Sequence, residues 1–258
     1  MAAKRVELFF DVVSPYTHLQ LHSLAKYQKA WPSLALTLRP MFLGGIMKAT
    51  GNKPPGVLKP KAAWMANDLR TASELSGTPM LPMPKNFFSE VARAVVYVQR
   101  LQVAAQLDGL GKAEQFKLAL ACSDCIHAES SLRTASSDLQ LGDEFMAAVL
   151  AKSGIEAAHG KALLDKTGEA AVKQALIQNT DEAVSRGVFG SPTMFATEDS
   201  STGKMHMLFG SDRMEQLAHV LDLPYLGAAA SPKSAPSRAS SASPMEDRLL
   251  KAGSMSAP

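Results

Sequence analysis

The stretch that decides the fold is Val6-Glu-Leu-Phe-Phe-Asp-Val-Val-Ser-Pro-Tyr16. Both alternating sets of positions from Val6 to Val13 are largely apolar, as a central strand covered on both faces requires. Ser14 and Pro15 then indicate a helix start, because serine is a preferred N-cap and proline is favoured at the first helical position. An anion above Ser14 would meet free backbone N–H groups and the positive end of a helix dipole. The stretch therefore predicts a strand-to-helix junction that can hold an anion.

The residues that follow predict a β-α-β unit. A helix is expected from Pro15 to about Ala30, because Trp31-Pro32 disfavours its continuation. Leu34, Leu36 and Leu38 then alternate with other residues in a second strand. A crossover helix between two strands implies a parallel pair and a right-handed connection.

Helical patterns dominate the middle of the chain. Gly51-Asn52-Lys53-Pro54-Pro55-Gly56 first predicts a rigid loop without repetitive structure. From about Ala62 to Gly187 the strand pattern disappears, which leaves a helical block of roughly 120 residues, large enough to be a domain. The expected helices cover residues 62–76, 88–107, 112–128, 142–153, 156–166 and 168–186.

The β pattern returns after this block. Ser191-Pro192 precedes a short strand over Thr193–Thr197, and a polar turn leads to Met205–Phe209, so these segments predict an antiparallel hairpin. Gly210-Ser211-Asp212 opens a last helix, expected from Arg213 to Leu223. The chain therefore predicts one α/β unit, β-α-β at its start and β-β-α at its end, with the helical block inserted between the two halves.

Composition excludes several classes of protein. The 258 residues carry a formal net charge of +3, and the basic residues are scattered, so no nucleic-acid partner is expected. No apolar run approaches the roughly 18–20 residues that span a bilayer, so no membrane partner is expected. The chain has 2 cysteines, too few for a disulfide scaffold, which favours a reducing compartment. Residues 228–258 are rich in alanine, serine and proline and are predicted to be disordered.

The order of elements resembles the thioredoxin fold. In thioredoxin-like oxidoreductases a Cys-x-x-Cys motif lies at the first strand-to-helix junction, where this chain has Ser14-Pro15-Tyr16-Thr17. Such a site cannot perform thiol–disulfide exchange, but the geometry that stabilises a thiolate remains. The resemblance implies an α/β protein with a thioredoxin-like domain formed by residues 1–61 and 188–227. Residues 62–187 then form the inserted helical domain, and residues 228–258 form the tail.

A more specific resemblance rests on five motifs in order. Together they look like a kappa-class glutathione transferase, over about residues 5–226 and weakly through residues 85–165. This resemblance implies that glutathione is the cosubstrate, that a small electrophile is the second substrate, and that no cofactor is permanently bound. It also implies a detoxifying transferase that forms a homodimer. The motifs are Ser14-Pro15-Tyr16, Gly51 to Gly56, Ala66-Asn67-Asp68-Leu69, Gly190-Ser191-Pro192-Thr193 and His206 to Glu215.

The kappa-class resemblance assigns Ser14 and its neighbours to the thiol. Ser14 is expected to donate a hydrogen bond to the glutathione sulfur, although a serine before proline is also an ordinary helix cap. Pro15 and Tyr16 belong to the same site, and Tyr16 is either a packing residue or part of the thiol pocket. A cis bond between Ser191 and Pro192 is expected to present the Ser191 backbone to the cysteinyl part of glutathione.

Other residues are assigned to the ends of glutathione. Ser211 and the adjacent helix N-terminus are expected to bind the γ-glutamyl carboxylate, and Asp212 to pair with its ammonium group. The alternative is purely structural, since Asp212 and Glu215 have the spacing of a capping box. Asn52 is expected near glutathione, with Lys53 and Lys61 as weaker candidates for the glycyl carboxylate.

Two further patterns predict no additional site. Cys122-Ser-Asp-Cys125 lies within helical sequence and has no second pair to complete a zinc site, so these cysteines are expected to be ordinary helical residues. The 6 histidines show no spacing typical of a metal cluster, and no metal is expected.

Three alternative functions fit parts of the pattern. A glutathione-dependent 2-hydroxychromene-2-carboxylate isomerase has a similar fold and also uses glutathione and the serine. A non-catalytic thioredoxin-like binding protein would need Ser14 and Asp212 only as caps. A disulfide oxidoreductase rests on fold analogy alone. The cytosol is the expected location, with mitochondria or peroxisomes, where relatives occur, as alternatives.

Overall fold

The computed structural model describes residues 4–197 and 203–227. The tail over residues 228–258, which the sequence predicts to be disordered, lies outside the described residues. Within the described part of the chain, no helix is long and apolar enough to cross a membrane.

A four-stranded mixed sheet forms the centre of the fold, in the order β2-β1-β3-β4. The first two strands pair in parallel, whereas β3 pairs antiparallel with both β1 and β4, which confirms the predicted β-α-β unit and hairpin. The middle strands β1 and β3 carry most of the buried sheet residues, and β4 forms an edge with alternating exposure. The strands are β1 (Lys4–Phe10), β2 (Leu34–Pro40), β3 (Thr193–Thr197) and β4 (Met205–Phe209).

The helices of the described chain follow the predicted order with one addition. Their bounds are α1 (Pro15–Ala30), α2 (Leu43–Thr50), α3 (Lys59–Ser76), α4 (Ala92–Ala94), α5 (Val96–Leu107), α6 (Lys112–His127), α7 (Asp143–Ser153), α8 (Ala157–Lys166), α9 (Ala170–Ser185) and α10 (Met214–Leu221). The helix expected over 88–107 is divided, since Phe87–Val91 forms a π-helical turn and Val95 separates α4 from α5.

Helix α2 was not predicted from the sequence. Its Gly44-Gly45 pair weakens any helical pattern, but the structure explains one of these glycines. A Cβ atom at Gly45 would lie 3.1 Å from the Thr180 side chain of α9, so the glycine permits close packing of the two helices. The helix ends at Gly51, whose φ of 73° is the left-handed conformation typical of a glycine cap.

The sheet and the helical block share one hydrophobic core. Val6 and Leu8 of β1 belong to the same buried cluster as Val98 of α5 and Leu118 of α6. The side chains on the other face of β1 are covered differently, since Phe9 packs with Ile46 of α2. Because both faces of β1 are covered, its nearly continuous apolar sequence is explained. The division into domains at residues 61 and 187 stays a prediction.

Buried Gln99 on α5 fastens the ends of β1 and β2 to the helical block. Its Nε2 donates to the carbonyl oxygens of Phe10, at 2.8 Å, and Met41, at 2.9 Å. Its Oε1 accepts from the Val12 N–H at 3.4 Å. One buried amide side chain therefore forms hydrogen bonds with backbone groups at the ends of both strands.

We expect Gln99→Leu to lower the free energy of unfolding by about 2–4 kcal/mol, because it leaves the Met41 carbonyl oxygen and the Val12 N–H without partners. The Phe10 carbonyl oxygen keeps its hydrogen bond from the Met41 N–H. Gln102→Leu is the matched control, since Gln102 lies on the same helix, is buried, and has no partner for its Nε2 among the described residues. Its replacement should cost much less or stabilise the protein. Urea denaturation measures both variants, and equal losses would contradict the role of Gln99.

Candidate functional site

The site begins where β1 ends and α1 starts. Ser14 is the N-cap of α1, as predicted, and its Oγ accepts a hydrogen bond from the Thr17 N–H at 3.4 Å. The sequence pattern extended the strand to Val13, but β1 ends at Phe10. The intervening turn is closed by a backbone bond from the Ser14 N–H to the Asp11 carbonyl, 3.1 Å long.

The side chain of Asp11 stabilises this turn. Its two carboxylate oxygens accept from the Val13 N–H at 3.0 Å and from the Leu43 N–H at 2.9 Å. One carboxylate therefore links the turn before Ser14 to the start of α2. Burial raises the pKa of Asp11 to about 6, and the two backbone hydrogen bonds oppose part of that rise.

Ser191 joins this junction from the other half of the fold. The Ser191-Pro192 bond is cis, which confirms the expectation from the sequence. The Ser14 hydroxyl donates to the Ser191 carbonyl oxygen at 2.9 Å. The Ser191 hydroxyl accepts from the Asp11 N–H at 2.9 Å and is hydrogen-bonded to the Thr17 hydroxyl at 2.8 Å. These three contacts place the residue before the cis proline directly against Ser14.

The loop before α10 is hydrogen-bonded to the cis proline beside this junction. The Gly210 N–H donates to the Pro192 carbonyl oxygen at 3.0 Å, so Ser211 and Asp212 follow immediately after a bond to the cis proline. The side chain of Asp212 is 71% exposed and lies 3.4 Å from the Arg213 guanidinium. The N-cap of α10 is Arg213 and has no side-chain cap bond, so the capping-box alternative for Asp212 is wrong.

Tyr16 lies between the junction and α3. Its hydroxyl donates to Asp68 Oδ2 at 2.9 Å, and its ring packs beside buried Leu19, Met65 and Leu69. Burial is the main cause that raises the pKa of Tyr16, followed by Asp68, and the charge of Asp212 raises it further. The field of Asp212 therefore reaches Tyr16, two residues from Ser14.

The loop after α2 contacts the segment that leads to Ser191. Asn52 donates through Nδ2 to the Phe189 carbonyl oxygen at 2.7 Å and accepts the Lys53 N–H at 2.8 Å. Lys53 is exposed beside it, and Lys61 is exposed in the first turn of α3. The structure thus groups Ser14, Tyr16, Asn52, the cis proline and Asp212 around one junction.

A second polar cluster lies between α1 and α6, and sequence reasoning missed it. The expectation that the histidines form no cluster is wrong, because His18 and His22 of α1 meet Asp124 of α6. The four-residue spacing of His18 and His22 could have indicated this cluster, because residues four apart lie on one face of a helix. His127 lies beside this cluster, with its ring centroid 5.3 Å from that of His18, and its Nε2 lies 2.9 Å from the Val12 carbonyl oxygen near the junction.

Cys122 and Cys125 flank this cluster on α6 and are both buried and unpaired. Burial raises the pKa of Cys125 to about 12 and that of Cys122 well above its usual value. Both thiols therefore stay protonated near neutral pH, and neither is an activated nucleophile. They pack in the core, as expected for ordinary helical cysteines.

Comparison with known proteins identifies the family of this chain. A family profile described as DSBA-like thioredoxin domain matches residues 5–222. Human glutathione S-transferase kappa 1 is 36% identical over 226 residues, which cover 87% of this chain and 93% of that protein. The Caenorhabditis elegans glutathione S-transferase kappa 1 is 27% identical over 222 residues, or 85% and 92% of the two chains. The chain belongs to the DSBA-like thioredoxin domain family and, within it, to the kappa class of glutathione transferases.

Solved structures support the fold alone. A 2-hydroxychromene-2-carboxylate isomerase has a TM-score of 0.66 at 20% identity and covers 84% of this chain and 94% of its own. A probable DsbA oxidoreductase from Streptomyces coelicolor has a TM-score of 0.58 at 15% identity, with 86% and 92% covered. The thioredoxin-like architecture with its helical insertion is therefore shared with proteins of different names.

The raised pKa of Asp11, about 6 against an ordinary 3.8, predicts a pH-dependent stability. Between about pH 4 and pH 6 the folded protein keeps a proton that the unfolded chain releases, so stability falls as the pH rises through this window. The contribution is roughly 3 kcal/mol, and it is lost completely above the upper pKa. Carbon-13 NMR titration of the Asp11 carboxyl measures the pKa directly, and a value near 4 would contradict the burial argument.

Proposed function

We propose that the protein binds glutathione over the α1 N-terminus, stabilises its thiolate with the Ser14 hydroxyl, and conjugates it to small electrophiles. The single observation that carries this proposal is the contact between Ser14 and Ser191. A hydroxyl at a helix N-terminus faces the backbone of the residue before a cis proline, 2.9 Å away. The kappa-class family supports glutathione as the cosubstrate.

The energies of this arrangement are sufficient for the task. Lowering a thiol pKa by about 2 units requires about 2.7 kcal/mol. A hydrogen bond from a hydroxyl to a charged sulfur contributes about 1.5–3 kcal/mol. The positive end of a helix adds about 0.3–2 kcal/mol. No metal or organic cofactor is needed for this step.

Binding glutathione would exchange one hydrogen bond for two. Without ligand, the Ser14 hydroxyl donates to the Ser191 carbonyl oxygen. When a thiolate arrives, the hydroxyl hydrogen rotates toward the sulfur. The Ser191 carbonyl oxygen is then free to accept the cysteinyl N–H of glutathione, as in the addition of an extended strand. Thr17 and Asp11 keep the Ser191 side chain in place during this change.

The loop before α10 would receive the γ-glutamyl end. The N-terminal N–H groups of α10 and the Ser211 hydroxyl suit a carboxylate, whereas exposed Asp212 suits the ammonium group. Arg213 neutralises Asp212 only in part, since its guanidinium lies 3.4 Å away on a half-exposed side chain. Asn52 would approach the peptide from the opposite loop, where it already contacts the Phe189 carbonyl.

Apolar residues beside Tyr16 would form the wall for the electrophile. Tyr16 packs against the α3 side chains Met65 and Leu69, and α3 belongs to the helical insertion. This arrangement supports the idea that the insertion covers the thiol and supplies the second-substrate surface.

We further propose a homodimer, as the kappa-class resemblance implies. An exposed apolar patch supports it, because Phe189 packs against Phe209, with ring centroids 4.6 Å apart, beside exposed Met205 and Met207 of the edge strand β4.

Ser14→Ala should raise the pKa of bound glutathione by about 1–2 units and lower the conjugation rate near pH 7 by roughly 10-fold or more. The pH dependence of conjugation with a chlorodinitrobenzene substrate measures both effects. Ser23→Ala, a half-buried serine on the same helix, is the control and should leave both unchanged.

The loss of the N-cap also costs about 1 kcal/mol of stability, so thermal unfolding is recorded beside the kinetics. A folded Ser14→Ala variant with the wild-type rate and the wild-type thiol pKa would refute the thiolate role. A wild-type protein that isomerises 2-hydroxychromene-2-carboxylate but conjugates no electrophile would assign it to the isomerase reaction instead.

Asp212→Asn should raise the KM for glutathione by roughly 3- to 10-fold, or about 0.7–1.4 kcal/mol, with little change in kcat, because the charge pair that it removes is equally strong in the ground state and the transition state. The control is Glu215→Gln, which neutralises another exposed carboxylate within the first turn of α10. A glutathione analogue without the amino group should bind wild type and Asp212→Asn equally. If the variant discriminates between the two thiols as strongly as wild type does, Asp212 does not bind the ammonium group.

A further inference from the structure

A group of three metal-ligating side chains lies between α1 and α6, outside the proposed glutathione site. His18 Nδ1, His22 Nε2 and a carboxylate oxygen of Asp124 all lie within 4.8 Å of one another. The Asp124 oxygen is 2.7 Å from the His22 nitrogen and 3.7 Å from the His18 nitrogen. The two histidines are four residues apart on α1, so successive turns of one helix direct both rings toward α6.

The orientation of His18 is that of a metal ligand. Its Nε2 lies 2.7 Å from the Pro79 carbonyl oxygen, so this nitrogen carries the proton and donates it to the backbone. The lone pair is therefore on Nδ1, which is the nitrogen that faces Asp124. Metal-bound histidines commonly donate their other ring N–H to a backbone carbonyl in this way, which fixes the tautomer. The His18 ring is completely buried, so packing holds it in this orientation.

The charge around the cluster also suits a cation. Within residues 4–197 and 203–227, the Asp124 carboxylate pairs with the two histidines and with no Lys or Arg side chain, although the charge of Lys152 acts on it from farther away. Asp124 and His22 remain partly exposed, with 26% and 19% of their side-chain surface accessible, so an ion has an entry path.

We infer that His18, His22 and Asp124 form a binding site for a divalent transition metal of the zinc type, with water in the remaining coordination position. Two imidazole nitrogens and one carboxylate are a ligand set that zinc accepts in three-ligand sites. Metal–ligand bonds of about 2.0–2.2 Å in a tetrahedral site place the ligand atoms about 3.4 Å apart. The observed separations of 2.7 and 3.7 Å lie on either side of that value.

Two hydrogen bonds must change when the ion binds. His22 Nε2 lies 2.7 Å from Asp124 Oδ1 and donates its proton to that carboxylate in the absence of metal. This proton must leave Nε2, for His22 Nδ1 or for solvent, before the nitrogen can coordinate. The Ser123 hydroxyl lies 2.9 Å from His18 Nδ1 and donates to its lone pair in the absence of metal. Serine in a helix can turn its hydroxyl to the carbonyl oxygen one turn earlier, so the displaced donor keeps a partner. The exchange therefore replaces these two hydrogen bonds with coordinate bonds to the ion.

The ion would cross-link the two parts of the molecule. His18 lies one turn after Ser14 on α1, whereas Asp124 belongs to the helical insertion. A bound metal would thus stabilise the packing of α1 against α6 without occupying the space above Ser14. Its effect on the protein should be mainly structural, and it should be measurable without any assay of conjugation.

The test uses the full chain, free of any histidine tag and stripped with a chelator, and Zn²⁺ and Co²⁺ as probes. Isothermal titration should show one equivalent of Zn²⁺ bound, and Co²⁺ should give the visible absorption of nitrogen and oxygen coordination. At a Zn²⁺ excess of about 100 times Kd, Tm should rise by roughly 5–10 °C. His22→Gln and Asp124→Asn should each weaken binding by at least about tenfold, the scale on which metal sites respond to altered ligand shells.

The matched control is His159→Gln. His159 forms a similar pair with Asp108, 2.8 Å apart, but Lys166 already neutralises that carboxylate and no second imidazole is present. This variant should bind Zn²⁺ like wild type. Circular dichroism without metal verifies that each variant is folded, and two independent ligand variants keep the test decisive if one is unstable. Wild-type protein that binds no Zn²⁺, or binding that survives both ligand variants or is lost in His159→Gln, would overturn the inference.

Discussion

The contact on which the rest of the site depends is the one between Ser191 and the junction of β1 with α1. The Ser191 hydroxyl and carbonyl make three hydrogen bonds to Asp11, Ser14 and Thr17. These residues are separated by 174–180 positions in the chain, so the contact closes the fold around the helical insertion. It also sets the distance between the helix N-terminus and the cis-proline backbone, which is the distance that a bound thiol peptide would have to match.

The protein interior maintains this contact through a few buried polar groups rather than through apolar packing alone. Gln99 satisfies the ends of β1 and β2, and Asp11 holds the turn that precedes Ser14. Each side chain forms hydrogen bonds with backbone atoms in the segments where the strands end. A buried carboxyl is costly to ionise, and this cost is the reason that the pKa of Asp11 rises while its oxygens still accept two N–H groups.

Much of the fold could be predicted because it follows from local patterns. The alternation in β1, the Ser14-Pro15 cap and the Thr193–Thr197 hairpin strand each depend on neighbouring residues, and the structure confirms them. Local patterns were less reliable where packing overrides propensity. Helix α2 contains Gly44-Gly45 and nevertheless forms, and the glycine at position 45 permits its close contact with α9.

The sequence by itself determined the strand-to-helix junction, the serine in place of a cysteine, and the order of elements that defines a thioredoxin-like fold. Only the tertiary structure decided which distant groups meet. It showed that Arg213, and not Asp212, is the N-cap of α10. It also showed that His18 and His22 of α1 lie next to Asp124 of α6. The physical reason is that caps and periodicity depend on residues within one or two turns, whereas these contacts depend on how helices pack, which no short stretch of sequence encodes.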